Sequence, residues 1–113
     1  MKEGNQKLYE GMYIVSALLN DEARNKTFER IKDGVTRRGG EVLKVHDQGK
    51  RRLAYEIGSQ KEGHYFLMYF KAPPASINDM WQELRLNENL IRFTTLTATR
   101  VMDELKYKQL QEQ

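Results

Sequence analysis

Basic residues gather at three places in the chain: Arg37-Arg38, Lys50-Arg51-Arg52, and Arg92 with Arg100. Clustered guanidinium and ammonium groups are suited to phosphate, because each donates charge-assisted hydrogen bonds to anionic oxygen. Arg37 and Arg38 also fit a plainer role as positive charge at a helix C-terminus. The triplet at 50–52 is more informative. Three adjacent cations on a strand repel one another unless water or phosphate takes them up, although guarding an edge strand against stray pairing is an alternative use. His46 and His64 are the only histidines, too few for a three-histidine metal site, and each reads as a strand surface residue. Ser16, Ser59 and Ser76 lack the strand–turn–helix setting of a nucleophile. No Gly-rich phosphate loop and no convincing carboxylate pair is present. These residues lead to the expectation of a protein that is not an enzyme and has no cofactor, no metal and no small-molecule substrate.

Composition sets the frame for those side chains. The chain has 113 residues, 39% hydrophobic and 31% charged, which suits one domain. The absence of cysteine removes disulfides, thiolate metal sites and cysteine nucleophiles. A formal charge of +3 is compatible with nucleic acid without demanding it. The first ten residues are polar, unlike a secretion signal. The longest apolar run, residues 65–70, is far short of the roughly 20 residues of a membrane helix. A cytoplasmic address without a membrane partner is the expectation.

Residues 1–7 read as a flexible polar leader. Residues 8–18 are rich in aromatic and β-branched side chains and apolar on both parities, the pattern of a buried central strand. Asn20 and Asp21 then start a helix, with Ala23, Thr27, Phe28, Ile31 and Val35 at helical spacing and Gly39-Gly40 as its stop. A long extended stretch follows over residues 41–57, with a bulge or bend expected at Gly49, and with Leu53, Tyr55 and Ile57 sharing one face. Residues 58–63 read as a hairpin loop and residues 64–71 as a third strand. After the rigid Pro73-Pro74 connector, Ile77, Met80, Trp81 and Leu84 predict a second helix, and residues 90–100 a last strand. Residues 101–113 form a charged tail.

The order is β-α-β-β-α-β. Each helix crossover joins parallel strands and is right-handed, so both helices cover the same side. The result is an α+β, ferredoxin-like domain over residues 8–100, a four-stranded antiparallel sheet of order 4-1-3-2 with two helices on one face. Small phosphatases of this fold need little beyond an Arg and an Asn. Arg92 with Asn87 or Asn89 could fill those roles, but nothing in their context favours it.

Such a sheet leaves its second face bare. In the third strand Tyr65, Leu67 and Tyr69 point one way and Phe66, Met68 and Phe70 the other, so one bulky triplet must lie on the uncovered side. A contiguous apolar patch usually marks a partner surface, and Phe66, Met68 and Phe70 are the expected partner-protein contacts. Long basic stems or the C-terminal tail could lie over the patch instead. A non-RNA interaction module using this face is the alternative function. The octapeptide at 62–69 is a poor match to the base-stacking motif of single-strand RNA readers: Glu62, His64 and Tyr65 stand where basic, aromatic and small residues are expected.

Several blocks together resemble a known family: Tyr9-Glu10, Gly49-Lys50-Arg51-Arg52-Leu53-Ala54-Tyr55, Gly63-His64-Tyr65-Phe66-Leu67, and Leu84-Arg85-Leu86-Asn87-Glu88 through Ile91-Arg92. In order and spacing they are similar to bacterial small-subunit ribosomal protein six. Gln48 and Glu56 depart from that family's usual Trp and Pro. The resemblance implies a structural ribosomal protein that binds small-subunit rRNA together with ribosomal protein eighteen. It makes Lys50, Arg51, Arg52, Arg85 and Arg92 candidates for phosphate or partner contacts.

Overall fold

The computed structural model describes residues 6–103. Its elements run β1 (Lys7–Ser16), α1 (Asp21–Arg37), β2 (Glu41–Ile57), β3 (Gln60–Ala72), a 3-10 turn (Pro74–Ser76), α2 (Ile77–Arg85) and β4 (Leu90–Thr97). The strands form one sheet of order β2-β3-β1-β4, and the three neighbouring pairs are antiparallel. This is the expected ferredoxin-like arrangement read from its other edge.

Local chemistry fixes the ends of α1. The Asn20 side chain accepts a hydrogen bond from the Ala23 backbone N–H at 2.8 Å, while Asp21 and Glu22 put negative charge on the first turn. At the other end Gly39 adopts φ +84°, which suits glycine alone. The Gly39 and Gly40 N–H groups then reach back to the Thr36 and Val35 carbonyls at 3.1 and 3.0 Å, closing the helix with a paired C-terminal cap.

The third strand starts four residues earlier than the sequence pattern suggests. Ile57 already pairs with Gln60, so the turn is only Gly58-Ser59, and residues 60–62 belong to β3. β1 reaches no further than Gly63, so this end of the β2–β3 hairpin is a two-stranded ribbon projecting past the sheet. The β3 half of this ribbon, Gln60-Lys61-Glu62, is polar and includes no buried residue, which is why it reads as a loop. β4 is shorter than expected for a complementary reason. Its partner β1 begins at Lys7, and the Ala98 N–H to the Leu8 carbonyl at 2.9 Å is the last bond between them. Beyond it the chain leaves the strand.

Parity on β1 and β3 decides what lies beneath the helices. Tyr9, Tyr13 and Val15 with Phe66, Met68, Phe70 and Ala72 pack against Phe28, Ile31 and Val35 of α1 and Met80 and Leu84 of α2. The Phe28 and Phe66 rings stack with centroids 4.1 Å apart. Phe66, Met68 and Phe70 are therefore the helix-side core and not a partner surface, contrary to the expectation. Their side chains reach the helices because β3 sits in register with β1, Phe66 opposite Tyr13 and Phe70 opposite Tyr9.

The other face carries Tyr65, Leu67 and Tyr69, and it is not bare either. Residues 98–102 turn back across it as a strap, with Ala98, Val101 and Met102 lying on Leu67 and Tyr69. The strap reaches the far edge of the sheet, where the Met102 carbonyl is 2.7 Å from His46 Nε2 on β2. Towards the ribbon, Leu53 and Ile57 of β2 and Ile91 of β4 close over Ile14 and Tyr65. The result is a sheet with apolar packing on both sides. The rest of the expected leader and tail, residues 1–5 and 104–113, lies outside the described residues.

Candidate RNA-binding surface

The five basic candidates occupy three stations. Lys50, Arg51 and Arg52 sit on β2 opposite His64, Gly63 and Glu62. They enter the ribbon from a bulge: the register shifts between Asp47 and Gly49, Gly49 has φ +80°, and its N–H donates to Asp47 Oδ1 at 3.0 Å. The same Asp47 oxygen lies 2.6 Å from His64 Nε2, so His64 anchors the bulge to β3. The expected irregularity at Gly49 is therefore present, and it re-aims the cations that follow it.

Strand alternation then divides the triplet. Arg51 shares its side with Leu53 and Tyr55 and lies over the Tyr65 ring, 5.9 Å from the centroid. Lys50 and Arg52 face the opposite way. Lys50 is 3.9 Å from Glu62 across the ribbon, while Arg52 is exposed beside Ala17, Leu18 and Lys61 in an open depression. Arg85 is the last residue of α2 and exposed. Arg92 stands on β4 opposite Ile14, on the strap side of the sheet. Its guanidinium donates to the Tyr55 hydroxyl at 2.7 Å and lies 5.3 Å from that ring's centroid.

Other cations are already used within the fold. Arg37 and Arg38 both bridge to Glu83 of α2 at 2.8 Å, and Arg37 also binds Asp33 at 2.9 Å. Burial alone would raise the Glu83 carboxyl, but hydrogen bonds and charge from the two arginines hold it below its ordinary value. The hydrogen bonds that Arg37 donates to Asp33 and then to Glu83 raise its own guanidinium. This cluster joins the two helices. By contrast, Arg52, Arg85 and Arg92 have no ion pair among the described residues. Their charge is turned outward and uncompensated, the condition in which a phosphate gains most.

The phosphatase-like pairing of Arg92 with Asn87 or Asn89 is not assembled. Asn89 donates to Thr27 Oγ1 of α1 at 3.2 Å, and the Asn87 side chain accepts from the Asn89 N–H at 3.0 Å. Both asparagines shape the turn on the helix side, whereas Arg92 is bound to Tyr55 on the other. Tyr55 is the residue that sequence reasoning placed on a face without giving it a role. Its parity with Leu53 was the available signal, and its pairing with a side chain 37 positions away was not visible.

A ferredoxin-like sheet with helices clamped on one side, and with exposed arginines that have no ion pair among the described residues, is the build of a small binding module. The family model described as Ribosomal protein S6 matches residues 8–97, and the chain belongs to that family. It is 54% identical over 113 residues to the small ribosomal subunit protein bS6 of Protochlamydia amoebophila, covering 100% of this chain and 99% of that one. To the bS6 of Chlamydia caviae it is 47% identical over 112 residues, covering 99% and 100%. Among solved structures, the 30S ribosomal protein S6 of Thermotoga maritima superposes with a TM-score of 0.78 at 28% identity, covering 94% of this chain and 96% of that one. The C-terminal domain of the Mycobacterium tuberculosis MgtC protein shares the fold alone, with a TM-score of 0.60 at 10% identity, covering 92% of this chain and 100% of that one. Members of the S6 family are structural, non-enzymatic components of the small ribosomal subunit, which places this chain on the cytoplasmic ribosome.

Proposed function

We propose that this chain binds small-subunit rRNA together with ribosomal protein eighteen, using Lys50, Arg51, Arg52, Arg85 and Arg92 for contacts to phosphate. The observation that carries this reading is the contrast among its cations. Arg37 and Arg38 are consumed by Glu83, whereas Arg52, Arg85 and Arg92 project without a carboxylate partner among the described residues. Binding of this kind recognises backbone position and shape, since phosphate contacts carry no sequence information directly. With Phe66, Met68 and Phe70 internal, the protein partner meets other residues. Exposed apolar side chains at the surface include Leu18, Trp81, Leu86 and Leu96. The strap also removes the bare sheet face on which a purely protein-binding reading depended.

The test is reconstitution with the partner protein on an rRNA junction fragment. Replacing Arg52, Arg85 and Arg92 together with Ala is expected to weaken assembly by more than tenfold, while Lys32→Ala, whose charge is paired with Glu29 at 2.9 Å, leaves it near the unaltered level. Equal affinities for the two variants would overturn the reading.

A further inference from the structure

We infer that Tyr55 and Arg92 form a clamp for one unpaired nucleotide, with the Tyr55 ring stacking the base and the Arg92 guanidinium holding the adjoining phosphate. The inference rests on the rRNA-binding reading and deepens it by naming a base-contacting residue. Sheet-face aromatics are the usual stacking platform in folds of this shape. Here Tyr65 and Tyr69 are 5% and 1% exposed, covered by the ribbon and the strap, and offer no free ring. Tyr55 is 60% exposed on the projecting ribbon. The other exposed aromatic among the described residues, Trp81, is engaged edge-on by Phe93.

The geometry around Tyr55 is that of a prepared site. Arg92 is fixed by a neutral hydroxyl at 2.7 Å and by the ring beneath it, so its orientation is set while its charge stays uncancelled. Among the described residues Arg92 has no ion pair. An anion can therefore bind without first displacing a carboxylate. A stacking surface next to an oriented cation matches a nucleotide, whose base and phosphate are linked at that scale, better than either a bare anion or an apolar side chain. Glu56, the neighbouring carboxylate on the ribbon, points to Lys61 at 4.0 Å instead.

The probe is a 5′-labelled ribo-adenylate decamer, with an abasic strand of equal length as its control, each titrated by fluorescence anisotropy against the full chain. Tyr55→Ala is expected to lose roughly tenfold in affinity for the decamer and little for the abasic strand. Tyr55→Phe keeps the ring and stays within a few-fold of the unaltered protein. Arg92→Gln lowers the log–log salt slope by about 0.7 on both strands, the contribution of one phosphate. Because Tyr55 is exposed, thermal unfolding of each variant should match that of the unaltered chain, and a variant that unfolds early is replaced by Tyr55→Leu. Failure of the unaltered chain to bind the decamer, or an equal loss on both strands for Tyr55→Ala, overturns the clamp. If that happens while the triple arginine variant still fails on the junction RNA, the clamp falls and the rRNA reading stands; if neither set of changes matters, both fall.

Discussion

Phe66 illustrates how much one side chain's orientation decides. It is 4% exposed, stacked on Phe28 and walled in by both helices. Phe66→Ala should therefore cost about 3–5 kcal/mol in urea unfolding, the range for a large aromatic removed from a packed core. A surface residue would instead weaken partner binding with little change in stability. Glu83 makes a second prediction at this scale. Its folded-state carboxyl is held below its ordinary value, so the bridge to Arg37 and Arg38 contributes fully above the unfolded carboxyl's range, near 4.5, and is lost as the pH falls through the lower, folded-state value. Glu83→Gln should flatten the acid limb of a urea-midpoint profile below about pH 5, with a small effect at neutrality because the pair is solvent-exposed. An unchanged acid limb would show that the bridge contributes nothing. The two Arg pairs also mark where sequence stops speaking. Arg38 and Arg52 look alike in the sequence, each the second of two adjacent arginines, and what separates them is Glu83, 45 positions from Arg38, brought near only when the helices pack.

The elements were readable where one rule dominated and obscure where two competed. The Asn20 cap, the Gly39-Gly40 stop and the Gly49 bulge each need a particular residue type, and each stands where that type occurs. The parity of β3 was harder to read because all six side chains of residues 65–70 are apolar and all six are buried. Composition could not say which three met the helices; registry with β1 did. The start of β3 was hidden because residues 60–62, its share of the ribbon, are polar and include no buried side chain to alternate against. The strap is the element whose contribution is easiest to measure. It covers Leu67 and Tyr69, which are 0% and 1% exposed. Replacing Val101 and Met102 with Ser should lower stability by about 1–3 kcal/mol, because two partly buried apolar side chains no longer shield the sheet from water. The same variant should bind a hydrophobic dye that the unaltered chain ignores. A stable variant with no dye uptake would mean that the sheet face is covered by something else.

Across the whole molecule, the small net charge of +3 becomes a statement about mode of binding. A protein that wrapped RNA broadly would need a large basic excess. This one spends several cations on its own structure, in pairs such as Arg24 with Asp21 and Lys32 with Glu29 on α1, and Arg37 and Arg38 with Glu83 between the helices. Among the described residues it leaves Arg52 on the ribbon, Arg85 at the end of α2 and Arg92 on β4 without an ion pair. The topology was legible from element order, because handedness and antiparallel pairing leave few alternatives for β-α-β-β-α-β. The stations of the cations depended on strand alternation and on long-range partners, which element order does not contain. The proposed binding of RNA over a limited area, completed by a protein partner, fits this distribution.

The most direct measurement is the salt dependence of the complex with partner protein and junction rRNA, comparing the unaltered chain with the Arg52→Ala, Arg85→Ala, Arg92→Ala variant. Each phosphate neutralised adds about 0.7 to 0.9 to the slope of log affinity against log salt. The slope should therefore become shallower by about 2 to 3 when the three arginines are removed. A slope identical in both proteins would contradict the claim that these outward-facing arginines hold RNA.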